Sequence, residues 1–351
     1  GAVFTYTRSG GTWSLDTPLI SPVELGATDQ FGTIVKMDGD KMAVSAPQYD
    51  FSGRADAGAI FTFHHDGTDW IQDDILDVGT TSDRVGLDQN SFDISGDKLV
   101  IGNKNSATNG DTTGSVYTFQ WSGSAWIQDG TILQPTSTVG DLFGYSLSLS
   151  GDKLAIGAIG DDNIDTDAGA VYTFQWSGSA WVQDGTILRP STLVSSDDFG
   201  TMVEMYNNHL AVNAVSGNGT VYTYSWTGSS WLESNYPLTT LVTGSFFGST
   251  ISIYDDKMAI GAPFDNFYYS NGGSVLTYLW ADSYWAVDDV VIRHDGTANM
   301  HWFGKEVAIY NQTLLVSSEY DDVEGANSGA AYIYNVVPTP TTSPTNTPTL
   351  T

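Results

Sequence analysis

The chain has 351 residues and no cysteine, with 41 Asp and Glu against 12 Lys and Arg, a formal net charge of −29. Lack of cysteine excludes disulfides and thiolate metal sites. So acidic a surface repels nucleic-acid phosphates and anionic membranes; it suits cations, basic partners or a salty medium, or simply keeps the chain in solution.

From the start of the chain, two short elements alternate. The first is Gly-x-Val/Ile/Ala followed by an aromatic residue. It opens at Gly1, Gly58, Gly114, Gly169, Gly219, Gly273 and Gly329, with Leu276 replacing the aromatic in one copy. A tryptophan follows twelve positions later in six copies, at Trp13, Trp70, Trp126, Trp181, Trp231 and Trp285. The second element, Phe-Gly, stands at Phe31-Gly32, Phe143-Gly144, Phe199-Gly200, Phe247-Gly248 and Phe303-Gly304, with Val85-Gly86 as a variant. The fixed offset to tryptophan, with variable loops outside it, describes one hairpin geometry repeated along the chain. Val116 to Leu133 and Val171 to Leu188 differ only at Ile127 against Val182, the mark of a recent duplication.

The clearest copy predicts four strands, Tyr145–Ser150, Lys153–Ala158, Ala170–Trp176 and Ala180–Leu188. Each is short, rich in β-branched and aromatic residues, and bounded by Gly, Asp, Asn or Ser. Val171-Tyr172-Thr173-Phe174 carries packable groups on both faces, as a sheet covered on both sides requires. No helical period runs over a useful length. Four strands in roughly 40 to 50 residues give an all-β chain built as a β-propeller of four-stranded blades. Six Phe-Gly strands predict six blades, or seven if upstream sequence is missing. From Gly329 the matching tryptophan falls on Thr341, so the last blade lacks its outer strand. Residues 12–19 are expected to supply it, leaving Gly1–Tyr6 surplus. The propeller spans 1–336 and an extended tail spans 337–351.

These units resemble FG-GAP repeats, as in the integrin α-subunit head and in many secreted microbial and algal proteins. Phe143-Gly144 and Gly157-Ala158 match the two halves of that name, and Ala46-Pro47 and Gly261-Ala262-Pro263 keep an Ala-Pro ending. The resemblance implies an extracellular, cell-surface structural or adhesive propeller, not an enzyme, that contacts other proteins, glycans or copies of itself. A carbohydrate-binding propeller is the alternative, as fungal lectins of this repeat are; a polysaccharide-acting enzyme is a third reading that the sequence does not independently support. The integrin-type calcium hairpin does not carry over. Its counterparts here, Asp38-Gly39-Asp40-Lys41, Ser150-Gly151-Asp152-Lys153 and Asp255-Asp256-Lys257, are too short to wrap a cation, and each puts a lysine beside it.

Elsewhere, Asp161, Asn163, Asp165 and Asp167 place oxygen ligands at alternate positions, the spacing of calcium loops, but without the central glycine and late glutamate of an EF-hand. The loop is read as a calcium site or as a solvated acidic loop. Asp29, Asp83, Asp141 and Asp197 stand two residues before the Phe-Gly element, with Ser245 and His301 in the remaining copies; a short acceptor holding backbone N–H groups in a turn accounts for them. Ten of the eleven tryptophans lie in the outer hairpins, where packing between blades explains them more simply than sugar stacking. Trp302, with His301 and Tyr320, falls outside that register. No zinc-ligand spacing, nucleophile elbow or phosphate loop is present.

The tail, from Pro338 to Thr351, is a Pro/Thr run with nothing to form a core. It reads as an extended stalk, O-glycosylated at Thr339, Thr341, Thr342, Ser343, Thr345, Thr347 and Thr349, or as a plain linker. N-glycosylation sequons stand at Asn218 and Asn311, of which Asn311 is the better surface candidate.

Overall fold

A computed structural model describes all residues except 17–19, 108–112, 131, 135–139, 241, 243, 267–271, 292–301, 323–324, 326–327 and 337–351. Two units are distinguished, Gly1–Thr243 and Gly244–Thr351. Every regular element among the described residues is a β-strand.

The first unit holds four antiparallel blade sheets. Their strands, in chain order, are Val35–Asp38, Lys41–Ala46, Ala59–His65 and Trp70–Leu76; Phe92–Ser95, Lys98–Asn103, Ser115–Trp121 and Trp126–Gln128; Phe143–Ser150, Lys153–Ala158, Ala170–Trp176 and Trp181–Gln183; and Val203–Tyr206, His209–Ala214, Thr220–Trp226 and Trp231–Glu233. The second unit holds a fifth blade, Thr250–Tyr254, Lys257–Ala262, Ser274–Trp280 and Trp285–Val291, and a sixth with Phe303–Tyr310, Thr313–Ser318 and Ala330–Asn335. The sixth has three strands among the described residues. Six blade sheets of consecutive hairpins are the expected propeller architecture. The N-terminal segment departs from expectation in one respect. Thr12–Leu15 pairs with Tyr6–Ser9, and Val3 bridges Ile20 as Val116 bridges Leu133. Residues 1–6 are therefore part of a built outer hairpin rather than surplus.

The two repeated elements are the stitch between consecutive blades. Gly114 bridges Phe143 in parallel, Gly169 bridges Phe199, and Gly273 bridges Phe303. Phe143, Phe199 and Phe303 are fully buried, and each meets the aromatic of its own blade's third strand edge-on: Phe143 on Tyr172 at 5.3 Å, Phe199 on Tyr222 at 5.5 Å, Phe303 on Tyr332 at 5.8 Å. Edge-to-face contact is the preferred aromatic geometry, and it explains why both elements carry an aromatic.

The second strands are covered on both faces. Leu154 and Ile156 lie in the core of the third blade with Phe143 and Tyr172, whereas Ala155 between them lies with Phe199, Val203 and Val212 of the fourth. The small residue is needed where the next sheet presses close. The fourth strand is shorter than predicted. Regular pairing ends at Gln183, and the ladder resumes only where Val171 bridges Leu188. Asp184-Gly185 intervenes, with Gly185 at φ 96, a left-handed conformation that breaks the pleat.

The turn aspartates do what short acceptors do. Asp29 accepts the Gly26 N–H (2.7 Å), Asp83 the Thr80 N–H (2.6 Å) and Asp197 the Val194 N–H (2.7 Å). Each holds a three-residue turn shut just before the Phe-Gly stitch. Asp197→Ala is expected to cost about 1 kcal/mol, one net hydrogen bond, read as a lower urea midpoint with an unchanged slope.

Candidate functional site

The residue immediately before the Phe-Gly element adopts a left-handed backbone in every blade. It is Gln30 (φ 57), Arg84 (φ 52), Leu142 (φ 55), Asp198 (φ 48), Phe246 (φ 54) and Trp302 (φ 52). The repeat dictates the conformation; it does not dictate an aromatic, and large side chains are poorly suited to it. The second unit nevertheless has Phe246 and Trp302 there. Two residues past the second strand, the first unit has Gln48, Asn105, Gly160 and Ser216, while the second has Phe264 and Tyr320.

These four side chains meet. Phe246 lies 5.0 Å from Phe264, Phe264 lies 4.9 Å from Trp302, and Trp302 lies 4.6 Å from Tyr320, at interplanar angles of 69°, 72° and 81°. The result is a chain of four edge-to-face rings. Its two ends are exposed, Phe246 at 54% and Tyr320 at 36%. Such a surface can stack on a flat apolar or amphipathic group, and it contributes no general base, nucleophile or phosphate cradle. His301, which the sequence puts beside Trp302, lies outside the described residues.

The proposed calcium loop is arranged differently from a cation cage. Asp161 is fully buried and turned onto Arg189: Nε donates to Oδ1 at 2.8 Å, and Nη2 donates to the other carboxylate oxygen. The Tyr172 hydroxyl (3.2 Å) and the Asn163 amide (3.0 Å) donate to the same carboxylate. Burial pushes the Asp161 carboxyl up, but these donors outweigh it and leave it below the ordinary carboxylate value. Asp165 accepts the neighbouring Thr166 N–H at 2.8 Å, and Asp167, at φ 51, gives its N–H to Asp162 at 2.7 Å. The three aspartates at 161, 165 and 167 do not converge; no group of three or more His, Asp or Glu is placed to hold a metal among the described residues. The Arg189 guanidinium is the charge partner of Asp161.

The short turns between first and second strands use lysine in the same way. Lys41 Nζ lies between Asp40 (3.0 Å) and Asp97 of the next blade (3.1 Å), and Lys98 reaches Asp152 of the third (3.0 Å). The hairpin tryptophans pack in cross-strand pairs: Trp121 with Trp126 at 5.5 Å, Trp176 with Trp181 at 5.5 Å, Trp226 with Trp231 at 5.3 Å and Trp280 with Trp285 at 5.3 Å. In the first blade, His64 Nδ1 meets Asp73 Oδ1 at 2.5 Å, with the Asp73 side chain 4% exposed and the imidazole 5.9 Å from Trp121. Burial raises the Asp73 carboxyl, and His64 partly offsets the effect. The pair lies within the first blade, and the imidazole reaches Trp121 of the second.

Asn311 is exposed at the turn between Phe303–Tyr310 and Thr313–Ser318, at φ 56. Gly39, Gly96, Gly151, Asn207 and Asp255 hold the equivalent position, all with positive φ, so the backbone alone already favours asparagine there. Asn218 is half-buried. Thr339, Thr341, Thr342, Ser343, Thr345, Thr347 and Thr349 lie outside the described residues.

The FG-GAP repeat family matches residues 126–174 and 285–334. Both matches begin on a hairpin tryptophan and run through the Phe-Gly stitch into the next third strand. No curated protein matches the chain. Among solved structures it is similar to a Bacteroides uniformis protein described provisionally as a 6-phosphogluconolactonase, at a TM-score of 0.60 and 8% identity over 95% of this chain and 87% of that one. At that identity the likeness shows fold alone. Six blade sheets, with parallel Gly–Phe bridges at three of the junctions between them and repeat matches over residues 126–174 and 285–334, make this a chain of the β-propeller class that carries FG-GAP repeats.

Proposed function

We propose that the chain is an extracellular contact module, a structural or adhesive propeller at a cell surface, wall or appendage that binds proteins, copies of its own chain included. One observation carries the reading: the second unit holds Phe246 and Trp302 where the first has Gln30, Arg84, Leu142 and Asp198, and joins them to Phe264 and Tyr320 in a ring chain with exposed ends. Tryptophan and tyrosine are the side chains most enriched at the energetic centres of protein interfaces. The acidic composition and the exposed Asn311 suit a glycosylated extracellular setting, and a Pro/Thr stalk is consistent with it.

A second reading, carbohydrate binding, draws on the same patch, because ring faces stack on the apolar faces of sugars. The enzyme reading draws only on the name of a structural neighbour at 8% identity. Sedimentation velocity over a wide concentration range tests the first reading. Self-association is expected in the wild type, and Trp302→Ala should weaken it by about 2 kcal/mol, roughly thirtyfold. A wild type that stays monomeric throughout, or self-association that is indifferent to Trp302, would count against it. A glycan array with Trp302-dependent hits would move the assignment to the second reading.

A further inference from the structure

The first unit contains a cleft of about 600 Å3 between the N-terminal hairpin and the outer hairpin of the first blade. That size accommodates a large side chain or small ligand. Trp70 and His65 form one wall, their rings 5.2 Å apart and edge-on. Asp16, Glu24 and Asp69 contribute carboxylates to a lining that is otherwise apolar or neutral and polar, with no lysine or arginine. None of the three carboxylates is in an ion pair among the described residues.

Three of the outer-hairpin tryptophans have a cation over the ring, which shows that the indole faces of this chain can take one. Arg8 lies over Trp13 at 5.8 Å, Lys98 over Trp176 at 6.0 Å and Lys153 over Trp226 at 5.8 Å. Among the described residues no cation of the chain lies over Trp70, which lines a cleft together with three carboxylates. An indole face attracts a cation through its quadrupole, and carboxylates around it add charge and orientation.

We propose that this cleft binds the arginine or lysine side chain of a basic peptide segment, with the cation over Trp70 and its N–H groups donating to Asp16, Glu24 or Asp69. The net charge of −29 draws such a partner in at long range and makes its capture salt-dependent. The cleft is separate from the aromatic patch of the second unit, so either site can fail without the other.

Titration of the full chain with a hexa-arginine peptide, followed by tryptophan fluorescence and calorimetry, tests the assignment. Trp70→Ala is expected to weaken binding about tenfold, the scale of one desolvated cation–π contact, and Asp69→Asn by a similar factor at low salt. Asp162→Asn, an equal change of charge outside the cleft, should leave binding at the wild-type value. Asp69→Asn removes no hydrogen bond that the fold uses, so it remains informative if Trp70→Ala fails to fold. Equal weakening by Asp162→Asn would reduce the effect to diffuse attraction and overturn the site. So would no binding at all, or Trp70-dependent binding of neutral cellohexaose that displaces the peptide.

Discussion

Gly114→Ala is expected to destabilise the first unit by about 4 kcal/mol or more, enough to abolish two-state folding in a marginal domain. A Cβ built on Gly114 would sit 2.0 Å from the Phe143 carbonyl oxygen and 2.7 Å from its backbone nitrogen, at a φ of +85°. Both obstacles are backbone, so no side chain can turn aside to relieve them. Gly169 stands identically against Phe199, with its oxygen at 2.3 Å. Gly123 is the control: it has a comparable φ of +95° but nothing within 4 Å. Gly123→Ala should cost only the conformational penalty, about 1–2 kcal/mol. Urea denaturation of the two variants beside the wild type separates the close approach from the dihedral. Equal losses at Gly114 and Gly123 would mean that the stitch between blades carries no special weight.

That contrast also explains why so much of the fold could be read in advance. Gly-x-Val and Phe-Gly are imposed by two backbones approaching within contact distance, a demand that only a residue without a side chain satisfies. They therefore recur whatever the neighbouring loops contain. The second and third strands of the clearest copy, Lys153–Ala158 and Ala170–Trp176, match expectation to the residue, and the third opens directly after Gly169, where two backbones meet. The fourth strand was extended too far, to Leu188, because Thr186-Ile187-Leu188 has the composition of a strand; Asp184-Gly185 takes it out of register first.

The sites were less legible, for a different reason. Repetition reveals what all copies share, whereas the ring chain exists where two copies differ from the rest. Trp302 and Tyr320 stood out as unexplained by the register, but Phe246 and Phe264 did not. Phe246 sits next to Phe247 of the stitch and is hidden by it in the sequence. Comparing residue types at equal offsets, Gln30, Arg84, Leu142 and Asp198 against Phe246 and Trp302, would have exposed the pattern. In the acidic loop the partner of Asp161 is hidden by distance along the chain. Alternate oxygens suggest a cation, and nothing local shows that Asp161 pairs with Arg189, 28 residues away.

Arg189→Met should therefore be the most damaging polar substitution, at about 3 kcal/mol near neutral pH. It leaves the fully buried Asp161 charge with only Tyr172 and Asn163 as side-chain donors, and uncompensated buried charges cost more than the pairs they came from contribute. The pH dependence has a definite sign. In the wild type the Asp161 carboxyl lies below its ordinary value, so its contribution is complete above about pH 4 and is lost as pH falls through the folded-state value. In Arg189→Met, burial is expected to raise that carboxyl, so the variant instead gains stability as pH falls through the raised value. The gap between the two proteins should be widest at neutral pH and close in acid. Asp161→Asn combined with Arg189→Met removes both charges and should recover most of the loss, since a neutral, well-packed replacement of a buried ion pair is often no less stable. Denaturant melts from pH 3 to 8 on the three proteins decide it. A gap that is constant with pH would assign the role of Arg189 to the packing of its stem over the Tyr172 ring, 5.9 Å away, instead of to its charge. Millimolar calcium that raised the midpoint of the wild type would return the loop to the cation reading.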